Sequence, residues 1–117
     1  MARLDDGAER ARIRREFHKV VNLTAVELER WLDTPESHGA GWRRPGARES
    51  VGHQSGRRIL GLLRKDAVEL DDEDYAHMRR VVGFCRRHLA QGGPAKDRET
   101  SRWRHSLMNW GHDPLKG

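Results

Sequence analysis

A chain of 117 residues with 31 large apolar side chains can build one modest core and is too small for two full domains. Charged residues make up 35% of it, and no stretch free of Asp, Glu, Lys and Arg exceeds eight residues, which excludes a membrane-spanning helix. Lys and Arg outnumber Asp and Glu by 23 to 18, a balance that leans toward polyanionic partners.

From about Gly7 to Val21, the apolar residues Ile13, Phe17, Val20 and Val21 recur at helical spacing, with arginines mostly elsewhere on the wheel, so the spacing predicts an amphipathic helix. Thr24 and Glu27 have capping-box spacing ahead of Leu28, Trp31 and Leu32, which predicts a short second helix ending near Pro35. Residues 34–50 contain three Gly and two Pro and show no periodicity, so they read as a long surface loop. A third helix is expected to begin between Ser50 and Ser55 and to run to about Lys65, with Ile59, Leu62 and Leu63 as its apolar stripe. The run from Asp71 to Asp74 reads as a helix start with Asp71 as N-cap. Tyr75, Met78, Val82, Cys85 and Leu89 then form a heptad-like stripe, making this helix the spine of the core. Gly92, Gly93 and Pro94 end it, and a last short helix from Thr100 carries Trp103, Leu107 and Trp110, with Gly111 as its stop. No segment alternates as a strand should, so the expected fold is all-α: one small domain of four to five helices, with a long Gly- and Pro-containing loop at 34–50.

The charge is laid out in blocks. Residues 42–65 carry seven basic and one acidic side chain, 66–77 carry six acidic and none basic, and 78–117 carry nine basic and three acidic. If folding joins the two basic blocks, the protein presents one positive face able to sit on a phosphate backbone; otherwise each block is a solvated surface neutralised by its neighbours. The segment from Gly52 to Lys65 is the first candidate contact. A helix N-terminus near Ser55 and Gly56 would offer backbone N–H groups to an anion, with His53, Arg57 and Arg58 beside them, or else Ser55 is a plain cap and the glycines allow helix packing. Arg43, Arg44 and Arg48 in the loop, Arg64 and Lys65 on the helix, and Arg102 and Arg104 near the C-terminus complete the set of expected DNA-contacting residues. The succession of helix, irregular stretch and Gly-containing basic helix across residues 23–65 loosely resembles the layout of SAP-type DNA-binding motifs, with a longer connection.

Seven histidines raise the question of zinc, but His77 and His88 stand three turns apart on one helix and no CxxC or HxxxH spacing occurs, so neither a metal nor any other cofactor is expected. Cys85 lies on the apolar stripe, where an inert thiol is the usual occupant, and no catalytic constellation is found, so an enzyme is not expected. Trp31, Trp103 and Trp110 fall on apolar faces and read as core. Trp42, between Gly41 and Arg43, either stacks on a base or sugar or covers the core. A single cysteine and the absence of an apolar leader lead to the expectation of a reducing compartment, hence a soluble cytoplasmic protein.

The segments VNLTAVELERWLDTPES, SVGHQSGRR, DEDYAHMRRVVGFCRRHLAQ and WRHSLMNWGHDPLK, in this order, closely resemble the domain-of-unknown-function 3140 family of bacteria and fungi over about residues 16–116. Some members carry the label of DNA-binding protein, and that is the function the resemblance implies. Its pattern singles out Gly52, His53, Ser55, Gly56 and Arg57, then His77, Met78, Arg79, Arg87, His88 and Leu89, then Ser106, Leu107 and Asn109 to Pro114. Read physically, the last group pins the tail: Gly111 takes a left-handed conformation, Asp113 and Pro114 make a turn, and Asn109 or His112 bonds free carbonyls. The expected function is non-enzymatic DNA binding, with other nucleic acids as possible ligands, weakly sequence-specific and nucleoid-associated. The alternative is a protein interaction or stress-related accessory module, as a homo-oligomer or with a partner of opposite charge.

Overall fold

Thr24, Thr34, Ser50, Asp71 and Ser101 each take up an orphan N–H of a helix's first turn with the side chain. The computed structural model describes residues 2–116, with the side chains of 7–116. Among these residues there are six α-helices and no strand: α1 (Ala2–Val20), α2 (Ala25–Leu32), α3 (Pro35–Gly39), α4 (Val51–Leu63), α5 (Asp72–Gln91) and α6 (Arg102–Asn109). Single 3₁₀ turns at Ala67–Glu69 and Arg98–Thr100 lead into the last two. The Thr24 hydroxyl accepts the Glu27 N–H while the Glu27 carboxylate accepts that of Thr24, the capping box its spacing implied. Asp71 and Asp74 do the same at the start of α5.

The helix count exceeds the four to five expected because residues 34–50 are not one loop. Thr34 caps α3 by accepting the Ser37 N–H, and Pro35 occupies its first position, where a missing N–H costs nothing. The irregular part shrinks to residues 40–50 and is itself tied down. Arg44, Pro45, Gly46 and Ala47 form a turn closed by the Ala47 N–H on the Arg44 carbonyl at 2.9 Å, with Gly46 at φ +80°, and the Val51 N–H bonds the Trp42 carbonyl. With α3 between α2 and α4, these two helices do not form the uninterrupted helix, loop, helix layout of an SAP-type motif.

Helices α1 and α5 lie side by side in the same direction, joined at the surface by Arg10 with Asp72 and Arg86 with Glu16. Between them and α2, α4 and α6, Phe17, Leu28, Ile59, Val81, Cys85 and Leu107 are wholly buried. Tyr75, Met78 and Val82 join them, but Leu89 is 37% exposed. A seven-residue spacing drifts about 20° per heptad on a straight helix, so after two heptads the stripe has turned off the core. Gly92, at φ +75°, caps α5 as its position implied.

The C-terminal segment is pinned as its composition suggested. Gly111 (φ +83°) accepts the Leu23 N–H, His112 Nδ1 donates to the Val20 carbonyl, and Asn22 and Asp113 exchange two hydrogen bonds. No helix among the described residues is long and apolar enough to cross a membrane.

Candidate nucleic-acid interface

Folding neutralises much of the basic patch read from the sequence. Arg57 grips Glu49 through two hydrogen bonds of 2.8 and 2.6 Å, Lys65 reaches Asp74 at 2.8 Å, and Arg64 reaches Glu29 at 2.8 Å. Arg104 makes a bidentate pair with Asp113 at 3.0 and 2.9 Å. Arg58 stands 3.5 Å from Asp74, a looser contact, and Arg43 donates to the His38 carbonyl. Among the described residues Arg44, Arg48 and Arg102 form no ion pair and are exposed. The acidic segment folds the same way: Asp72 and Asp74 turn onto Arg10, Lys65 and Arg58.

The anion seat expected at Ser55 and Gly56 is not at a helix N-terminus. Ser50 caps α4, so Ser55 and Gly56 sit in the second turn, where their N–H groups belong to the helix. Gly56 is an interior packing position, since a Cβ there would stand 2.6 Å from the Asn109 carbonyl oxygen. His53 is also buried. One ring nitrogen donates to the Leu32 carbonyl at 2.8 Å, the other meets Glu49, and the ring stacks on His38. Neither residue can reach a polymer at the surface. The hydrogen bond from Arg57, followed by that from His53, holds the Glu49 carboxyl down at about 2 against its partial burial, so the Glu49–Arg57 pair is ionised at neutral pH.

What the fold brings together instead is a pair of adjoining grooves that share Val51 and Arg80. The polar one, about 520 Å³, is lined by Arg44, Gln54, Ser55, Arg57, Arg58, His77 and Arg80. The apolar one, about 510 Å³, lies between the loop at Gly41 and Trp42, the start of α4, the face of α5 from Arg79 to His88, and α6. Its wall holds a run of nearly parallel rings: His88 on Phe84 at 4.5 Å between centroids, Phe84 on Trp110 at 4.2 Å, and Trp110 facing His77 at 6.2 Å. Arg79, Arg80 and Arg87 line it as well, and no Asp or Glu among the described residues lines either groove.

Of the residues expected at an interface, Arg44, Ser55, Arg57 and Arg58 therefore lie on one concave surface, while Arg43, Arg48, Arg64, Lys65, Arg102 and Arg104 line neither groove. Trp42 is 66% exposed, so of the two roles open to it in the sequence it does not take that of covering the core. Arg79, Arg80, Phe84, Arg87, His88 and Trp110 were not among the expected contacts. The signal for them was present in the family pattern, which singles out Arg79, Arg87, His88 and Trp110, residues that periodicity alone assigns to a solvated face or to the core. Cys85 and His88, one turn apart on α5, face different surroundings. The thiol, pushed by burial up to about 12, faces the Trp110 carbonyl, whereas His88 belongs to the ring stack.

His77 links the two grooves, its Nε2 meeting the Ser55 hydroxyl at 2.9 Å. Burial, then the cations of Arg58 and Arg80, push it down from 6.5 to about 4, so the ring is neutral at pH 7. On acidification the unfolded chain takes up this proton near pH 6.5 while the folded protein resists until about pH 4, so stability falls across that interval. The loss should reach about 2 kcal/mol after solvent screening is allowed for. Urea-melt midpoints measured between pH 7 and pH 4 should show this decline, and a His77→Gln variant should lose most of it; an unchanged slope would assign the titration to another group.

No curated protein and no solved structure matches this chain. Its similarity to a family of proteins of unknown function, DUF3140, runs over residues 16–108. That stretch includes every residue lining the polar groove and all of those lining the apolar one except Asn109 and Trp110, and the chain belongs to the DUF3140 family.

Proposed function

We propose that this protein binds nucleic acid, DNA foremost, without enzymatic action and with weak sequence preference, by seating backbone phosphates on the arginines of the two grooves. The observation that carries this reading is the convergence of Arg44, Arg58, Arg79, Arg80 and Arg87, from a loop and two helices, on one concave surface with no lining carboxylate. Guanidinium groups bond phosphate oxygens in pairs, and like charges gathered with the loose 3.5 Å contact of Arg58 with Asp74 as their one ion pair among the described residues favour a polyanion. The net charge of +5 adds a long-range attraction of the same sign. A protein acting in this way works on the nucleoid, in the cytoplasm.

Titration into a labelled random-sequence duplex at several salt concentrations tests this. Seating four or five phosphates gives a log–log salt slope of about −4. Arg44→Glu combined with Arg80→Glu should weaken binding at least tenfold and flatten the slope, with an unchanged helical circular-dichroism spectrum, because neither arginine holds an ion pair in the fold. Arg102→Glu, outside the grooves, should change affinity less than threefold. Absence of binding at low salt would overturn the reading and leave the protein interaction module in its place.

A further inference from the structure

The phosphate reading accounts for the polar groove but leaves unexplained why an apolar, ring-lined groove adjoins it. A duplex presents phosphates and groove edges to a protein and keeps the faces of its bases stacked inside. The rings of His88, Phe84 and Trp110 cover one another's faces, but the exposed Trp42 indole opposite them, beside a row of cations, suits a strand whose bases are free. We infer that the groove between Trp42 and the Phe84–Trp110 stack receives an unstacked base of single-stranded nucleic acid, with Arg79, Arg80 and Arg87 holding its flanking phosphates.

Five features support this occupant. The groove, at about 510 Å³, falls within the range of about 300–1,000 Å³ of sites that enclose small organic groups. Two glycines keep it open. A Cβ at Gly52 would stand 3.1 Å from Trp110 Nε1, and one at Gly83 would stand 3.1 Å from the Arg87 guanidinium, so Gly52 lets the indole lie against α4 and Gly83 leaves room for Arg87. The Trp110 indole N–H has no acceptor among the described residues and is not sealed from solvent, so it remains available to a base carbonyl. Trp42, whose main chain is held by the Val51 N–H on its carbonyl at 2.9 Å, offers an exposed indole on the loop side. Burial, with Arg87 beside it, also lowers the pKa of His88, which keeps that ring neutral and suited to stacking at pH 7.

The inference rests on the phosphate reading, and the experiment separates the two. Fluorescence anisotropy would compare a twelve-nucleotide thymidine strand, an abasic strand with the same number of phosphates, and a duplex of equal length. Stacking of one base is worth about tenfold, so the thymidine strand should bind at least tenfold tighter than the abasic strand and should quench tryptophan emission. Trp42→Ala, a change at an exposed side chain, should abolish most of that ratio while altering duplex affinity less than twofold. Equal affinity for the thymidine and abasic strands would overturn the base slot and leave phosphate seating intact. Failure of all three to bind would overturn both.

Discussion

Replacing Asn109 with alanine is expected to lower the unfolding free energy by about 4 kcal/mol, much of the 5–15 kcal/mol that holds a domain of this size. Asn109 is wholly buried. Its Oδ1 accepts the Trp31 indole N–H at 2.8 Å and the Ser37 hydroxyl at 2.5 Å, and its Nδ2 donates to the Ser37 carbonyl at 3.0 Å. One side chain thus ties α2, α3 and α6 together. Truncation would leave two donors unpaired in the interior, each costing about 1–3 kcal/mol unless water enters, while the Ser37 carbonyl keeps its bond from the Ala40 N–H. Denaturant melts of Asn109→Ala, Trp31→Phe and the double variant would check this. The double should cost less than the sum of the singles, because Trp31→Phe has already removed one of the donors left unpaired. A loss below 1 kcal/mol would show that the hub is not what holds α3 in place.

The second large effect is a contrast within α4. Gly56→Ala should destabilise by about 3 kcal/mol, whereas Gly61→Ala should stabilise by about 0.5–1 kcal/mol. A methyl at position 56 would stand 2.6 Å from both the Asn109 carbonyl oxygen and Leu32 Cδ2. The leucine can turn away, but the carbonyl is main chain, so α4 and α6 would have to separate. At position 61 nothing lies within 4 Å, and alanine brings only its better helix propensity. Thermal melts of the two variants should therefore move in opposite directions. A shift of the same sign in both would mean that the α4–α6 contact is looser than these distances indicate.

Asn109 also shows how far the family pattern reached beyond periodicity. Spacing alone placed Leu107 and Trp110 on a core face and left Asn109 as a polar residue near a helix end. Its role depends on Trp31 and Ser37, which lie 78 and 72 positions away. Ser37 itself belongs to a helix of five residues, too short to display an apolar period, and its signals, Thr34 and Pro35, read equally well as the end of the helix before it. The candidate site was legible in part for the same reason. Arg44, Arg57 and Arg58 could be singled out from one basic block, but the grooves also need Arg79, Arg80 and Arg87 from another, across an acidic segment.

The sequence by itself determined the all-helical class, the capped starts of α2 and α5, the stripe of α5 from Tyr75 to Cys85, the stop at Gly92 and the turn at Gly111. Caps, periods and left-handed stops are interactions among residues a few positions apart, so their partners stand next to one another in the chain. Only the tertiary structure decided which arginines remain without a counter-charge. Arg64 is neutralised by Glu29, thirty-five positions away, and Lys65 by Asp74 across a turn. Arg44 and Arg80, which no spacing rule relates, meet at one groove. Coulomb pairing depends on distance in space, and the helix packing that sets this distance places a carboxylate against one guanidinium and leaves the next beside an aromatic wall.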